Sequence, residues 1–172
     1  MYRFCFVILH YNAVKDTVEC IESIINNIQY NNTYILVVDN NSPDGSGKYL
    51  MEKYKNIKNV LILLNDKNSG FARGNNIGYK YASGELKADF VAVINNDTVI
   101  RDKYFIEKII GLYDQENFQV MGPDIITKDG YHQNPFKMKG ITLGEVNDFI
   151  SNYKKQLIIS ILITLIKRNK LI

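Results

Sequence analysis

Asn95, Asn96 and Asp97 follow directly on five apolar residues, Phe90–Ile94. A carboxylate flanked by two amides suits a divalent cation that grips a phosphate group, because Mg2+ is commonly held by one or two carboxylates plus substrate phosphates. The same residue types also make ordinary strand-to-helix turns, which is the plainer reading. Two more polar clusters end apolar runs in the same way: His10-Tyr11-Asn12 and Asp39-Asn40-Asn41-Ser42. An Asp in the second position can accept a hydrogen bond from a ribose hydroxyl or a base N–H. The stretch 68–78 sets Gly70, Gly74 and Gly78 four residues apart, with Arg73 near its front. There a guanidinium and the free N–H groups of a helix start can meet an anion. Glycines at that spacing clear one helical face, either for the close approach of a ligand or for packing on a sheet. The stretch is neither GxGxxG nor a P-loop. His132 stands alone in a loop, where a surface role outweighs a metal-ligating one.

Positioning these clusters falls to a regular alternation of elements. Residues 3–10 read as an apolar strand. Val14, Val18, Ile21, Ile24, Ile25 and Ile28 then keep helical spacing, with Asn12 as the expected N-cap. A second strand spans Tyr34–Val38, a short helix Lys48–Tyr54 and a third strand Val60–Leu64. A helix over Phe71–Ala82 leads to Phe90–Ile94, expected as a central strand buried on both faces. Apolar spacing from Phe105 to Tyr113 predicts one more helix, and Phe118–Met121 a short strand. Strands alternating with helices at this spacing predict an α/β, Rossmann-like fold with a mainly parallel sheet. All strand carboxyl ends of such a sheet lie on one edge, and ligands bind outside it. The three polar clusters are therefore expected to converge.

Composition narrows the field. With 172 residues, 46% of them hydrophobic, the chain can bury a substantial core. Three prolines and 11 glycines exclude collagen-like or low-complexity character. Cys5 and Cys20 form no CxxC pair or metal cluster, which suits a reducing compartment. The N-terminal apolar run is too short for a secretory signal and lacks its cleavage site. All 18 acidic residues but only 16 of the 21 basic ones fall in 1–148, leaving that body near −2 and the tail near +5. Such a body is not expected to bind nucleic acid.

FVILHYN, VVDNNSPDGS, NSGFARGNNIGYKYA and INNDT, in this order and spacing, resemble family 2 glycosyltransferases of the GT-A fold, and within them the rhamnosyltransferase-like branch that builds cell-surface polysaccharides. The resemblance covers roughly residues 3–135. It implies a nucleotide-sugar-binding domain over 1–135, with 136–172 as a C-terminal extension carrying a basic and hydrophobic helix. It further implies a donor pocket formed by His10, Tyr11, Asn12, Asp39, Asn41, Gly70, Arg73, Asn76, Asn95 and Asn96, with Asp97 binding Mg2+ or Mn2+ against a UDP- or dTDP-sugar diphosphate. Asn95 replaces the first Asp of a DxD-type motif. Transfer is expected to go with inversion to a glycan or lipid-linked acceptor. Glu145 and Asp148 are weak candidates for the catalytic base, and the acceptor half is expected to be incomplete.

The tail 149–172 carries a charge-free, mostly apolar stretch, Leu157–Ile166, between basic flanks. Ten residues are too few to span a bilayer, which takes about 20. An interfacial helix on an anionic membrane surface is expected, or self-association through 157–166. A cytoplasmic enzyme, peripheral on the inner face of the membrane, follows. The alternatives are a non-catalytic nucleotide-binding or membrane-assembly module and, more weakly, a nucleotidyltransferase.

Overall fold

The computed structural model describes residues 1–127 and 129–132, and the isolated positions 144, 147, 148 and 151. Met1–Asn117 form one compact unit, and a second begins at Phe118. The first unit holds β1 (Phe4–His10), α1 (Val14–Asn27), β2 (Thr33–Asp39), α2 (Ser46–Tyr54), β3 (Val60–Leu64), α3 (Phe71–Gly84), β4 (Phe90–Asn95) and α4 (Phe105–Glu116). The four strands are parallel, in the order β3-β2-β1-β4. Chain direction across the sheet thus reverses beside β1, the kind of switch point that opens a crevice at the carboxyl edge.

Strands β1 and β2 are each flanked on both sides, and Phe4 to Ile8 of β1 are all buried. Side chains alternate between the two faces. Cys5, Val7, Leu36 and Val38 pack with Ala82, Ile77 and Tyr81 of α3. The opposite set, among it Phe4, Phe6 and Ile8, meets the other helices, with the Phe6 and Phe105 rings 5.9 Å apart. Burying each such side chain contributes about 1.5–3 kcal/mol.

Three expectations fail. β4 is an edge strand, paired among the described residues with β1 alone, and Val93 is 48% exposed. Its run of Val and Ile reflects strand preference rather than burial on both faces. Asn12 does not cap α1: the N-cap is Ala13, with no side-chain cap bond. Asn12 instead takes φ 59°, the left-handed conformation that Asn tolerates best after Gly. No strand forms at 118–121; that stretch is irregular. Residues 157–166 and the expected helix there lie outside the described residues.

Candidate functional site

The strand pairing itself brings the clusters together. His10 lies opposite Asp39 in the β1–β2 register, and Leu9 opposite Asn95 in the β1–β4 register. His10, Asp39 and Asn96 therefore stand at one level along the carboxyl edge.

Asp39 is 5% exposed. Its carboxylate accepts the backbone N–H of Ser42 at 3.2 Å and the Ser42 hydroxyl, while Ser42 Oγ accepts the N–H of Asn12 at 3.0 Å. The loops after β1 and β2 are thereby tied to one carboxylate. Gly47 explains how that carboxylate reaches α2: a Cβ built there would lie 2.2 Å from Asp39 Oδ2. Asn41 is exposed beside it with φ 63°.

Asn40 is the residue that spacing alone does not single out. Only 3% exposed, it donates to Asn68 Oδ1 at 2.9 Å and accepts from the Ser69 backbone at 3.0 Å. Its Oδ1 also lies 3.3 Å from Asn65 Nδ2. One amide therefore fixes the 65–70 loop and the entry to α3. Gly70 at that entry has φ 78°, and a side chain there would meet no atom. Gly74 and Gly78 behave differently, since Cβ atoms there would strike Leu9, Val7 and Val38. Of the two uses for the glycine face, those two positions serve packing on the sheet. Arg73 and Asn76 stay exposed on α3. No acidic residue occupies the first turn of α3 and no side chain caps it, so its N–H groups and Arg73 present an uncompensated positive end.

Asn95 and Asp97 are exposed at the end of β4, with Asn96 half-buried between them. The Thr98 N–H closes the turn on Asn95 O at 3.1 Å. α1 holds this segment: Ser23 Oγ accepts the Ile100 N–H at 3.0 Å, and Asn27 Nδ2 donates to Ile100 O at 2.8 Å. Cys20 Sγ lies 3.8 Å from Asn95 O. Burial, and secondarily the charge of Asp97, push that thiol up to about 12. Asp97 accepts no hydrogen bond from any described residue.

His10 is fully buried, with Nδ1 2.7 Å from Thr17 Oγ1 and Nε2 2.7 Å from Ser46 Oγ. Its side chain lies beneath the edge rather than in its wall, while Tyr11 and Asn12 are exposed above it. Burial lowers its pKa against the opposing pull of Asp39 and Asp44. Nothing in the sequence singles out Thr17 or Ser46, whereas Ser42, in the polar cluster and three residues after Asp39, has the spacing of an Asx turn. Glu145 lies outside the described residues, and Asp148 is exposed at a helical position in the second unit. His132 pairs with Asp124 in that unit. Among the described residues no group of three or more His, Cys, Asp or Glu is placed to hold a metal. No helix there is long and apolar enough to cross a membrane. A concavity of about 430 Å³ lies at the other end of β1, beside Tyr2, Tyr30 and Glu107.

The model of glycosyl transferase family 2 matches residues 5–166. The dTDP-rhamnosyl transferase RfbF of Shigella flexneri is 31% identical over 129 residues, which are 75% of this chain and 40% of that protein. The chain thus spans less than half of that relative's length. Among solved structures, S. aureus TarS in complex with UDP is similar with a TM-score of 0.56 at 18% identity, covering 75% of this chain and 43% of that one. A mannosyltransferase from Pyrobaculum calidifontis in complex with GDP-Man and Mn2+ also has a TM-score of 0.56, at 16% identity, covering 65% of this chain and 32% of that one. These likenesses bear out the expected fold.

Proposed function

The chain belongs to glycosyl transferase family 2, and from that premise we propose that its sheet edge binds the nucleoside diphosphate of a sugar donor for transfer, with inversion, to a cell-surface glycan or lipid-linked acceptor. The observation that carries this is the convergence, on one edge, of Asp39, the open start of α3 with Arg73, and the exposed Asp97.

Asp39 accepts a hydrogen bond from the ribose or base, with Asn12 and Asn41 at the rim. Arg73, Asn76 and the N–H groups at the start of α3 take the diphosphate. A lone exposed carboxylate fits a Mg2+ or Mn2+ ion whose other ligands are substrate phosphates and water, not an all-protein cage. Asp97 would hold that ion, which when bound supplies Lewis-acid stabilisation of the leaving diphosphate. In the transfer, the acceptor hydroxyl oxygen bonds to the anomeric carbon as the carbon–oxygen bond to the diphosphate breaks, and the hydroxyl proton passes to a base. Glu145 and Asp148 remain the candidates for that base. The name of the Shigella relative favours dTDP and the TarS complex favours UDP as the nucleotide. Residues 1–135 carry the donor site. The basic tail with its apolar 157–166 stretch suits the inner membrane surface, in a cytoplasmic setting.

Titration calorimetry of UDP and dTDP, with and without Mn2+, tests this on the chain and on Asp97→Ala. Metal-dependent binding abolished by Asp97→Ala is expected. Failure of both nucleotides to bind under either condition would refute the donor site. Transfer of sugar by the full-length protein separates an enzyme from a non-catalytic binding module.

A further inference from the structure

The buried imidazole of His10 touches two elements that belong to opposite walls of the donor site. Thr17 Oγ1 donates its one proton to Ala13 O at 3.0 Å. Toward His10 it can therefore only accept, so Nδ1 carries a proton. The same oxygen accepts the Asn96 side-chain amide at 3.1 Å, which fixes the rotation of that amide as well. On the other side of the ring, Nε2, bare in the neutral ring, accepts the Ser46 hydroxyl at 2.7 Å, while the Ser46 backbone N–H donates to Asp44 Oδ1 at 3.0 Å at the start of α2. Asn96 precedes the metal candidate Asp97, while α2 abuts Asp39 through Gly47. Thus a continuous chain, Asn96–Thr17–His10–Ser46–Asp44, runs beneath the edge from the β4 turn to the β2–α2 loop.

We propose that His10 is a positioning residue for donor binding, holding the Asn96 turn and the amino end of α2 in register through Thr17 and Ser46. The proposal rests on the donor-site reading above and deepens it. Neither hydroxyl nor imidazole touches the donor; they set where its contacts stand. A residue serving stability alone would transmit nothing from Ser46 to Asn96.

The test uses Thr17→Val, Ser46→Ala and His10→Gln, with the Asn96 side-chain amide resonances followed by 15N-correlated NMR and UDP affinity by calorimetry. Ser46→Ala is expected to move the Asn96 amide signals, and to leave them unmoved when His10→Gln is already present. Thr17→Val, near-isosteric, is expected to weaken UDP binding by up to about tenfold, the worth of one net hydrogen bond. Asn96 signals indifferent to Ser46→Ala in a folded chain overturn the proposal, as does unchanged UDP affinity in Thr17→Val. Should His10→Gln fail to fold, the two hydroxyl variants decide alone. Should the unsubstituted chain bind no UDP, the donor reading falls, and the Asn96 signals still judge the relay.

Discussion

Gly47→Ala probes how firmly the fold holds Asp39. Gly47 does not have positive φ, so the backbone itself accepts alanine. The added methyl would sit 2.2 Å from Asp39 Oδ2, whereas ordinary contact begins at 3.4 Å, so the carboxylate must retreat by about 1.2 Å. That movement pulls it off the Ser42 N–H and hydroxyl, bonds to a charged acceptor that contribute about 1.5–3 kcal/mol each. Alanine recovers at most about 1 kcal/mol of helix propensity, and less in a first turn. The expected balance is destabilisation by at least about 2 kcal/mol, together with UDP binding weakened at least tenfold. Urea unfolding and calorimetry on one preparation measure both. Gly111→Ala in α4 is the control, since its methyl meets nothing within 4 Å. It is expected to stabilise by about 0.5–1 kcal/mol and leave binding alone. A Gly47→Ala chain as stable as the parent, with UDP affinity intact, would refute the placement of Asp39 against α2.

Gly78→Ala drives a methyl to 2.4 Å from Val7 Cγ1 and 2.9 Å from Val38 Cγ2, both on stiff β-branched side chains, and is expected to cost about 1–3 kcal/mol in urea melts. Gly74→Ala meets the flexible end of Leu9 and should cost less; equal losses would contradict the packing described for α3. Asn40→Ala strips the 65–70 loop of its anchor, so amide exchange there should accelerate while β1 stays protected. Acid should selectively destabilise the fold through His10: with its pKa lowered by burial, the folded chain binds fewer protons than the unfolded one. Stability is then complete above the unfolded value of about 6.5 and falls as the pH drops below it, by up to about 1.4 kcal/mol per pH unit. Asp39 and Asp44 face the ring and oppose the shift. Urea melts at pH 7.5 and 5.5 should show a steeper loss for the parent than for His10→Gln; parallel losses would contradict a neutral buried ring.

Much of this was legible because apolar runs and polar clusters alternate cleanly. β3 falls on Val60–Leu64 as expected, and β1 and β2 within a residue at each end. The polar clusters do meet on one edge, because parallel topology leaves them no other arrangement. What stayed hidden was partnership across the sheet. Phe90–Ile94 gives no sign that its strand lies at an edge, since Val and Ile suit any strand. His10 looked like a wall residue, and only the depth of Thr17 and Ser46 shows it beneath the floor. Asn40 looked like one more turn residue among four.

The strand order also dictates when this site can exist during synthesis. β1 leaves the ribosome before its partner strands, yet one of its two edges waits for β4, with Phe4 paired to Phe90, 86 positions later. At translation rates of about 5–20 residues per second, that wait lasts roughly 4–17 s. Throughout it, β2 and β3 can dock on one side while the other edge of β1 stays open. Asn96 and Asp97 arrive after the other donor-site residues. The nascent chain is therefore sheltered by neither its finished sheet nor a bound nucleotide until the fourth strand emerges, and that interval is where a chaperone would have its work.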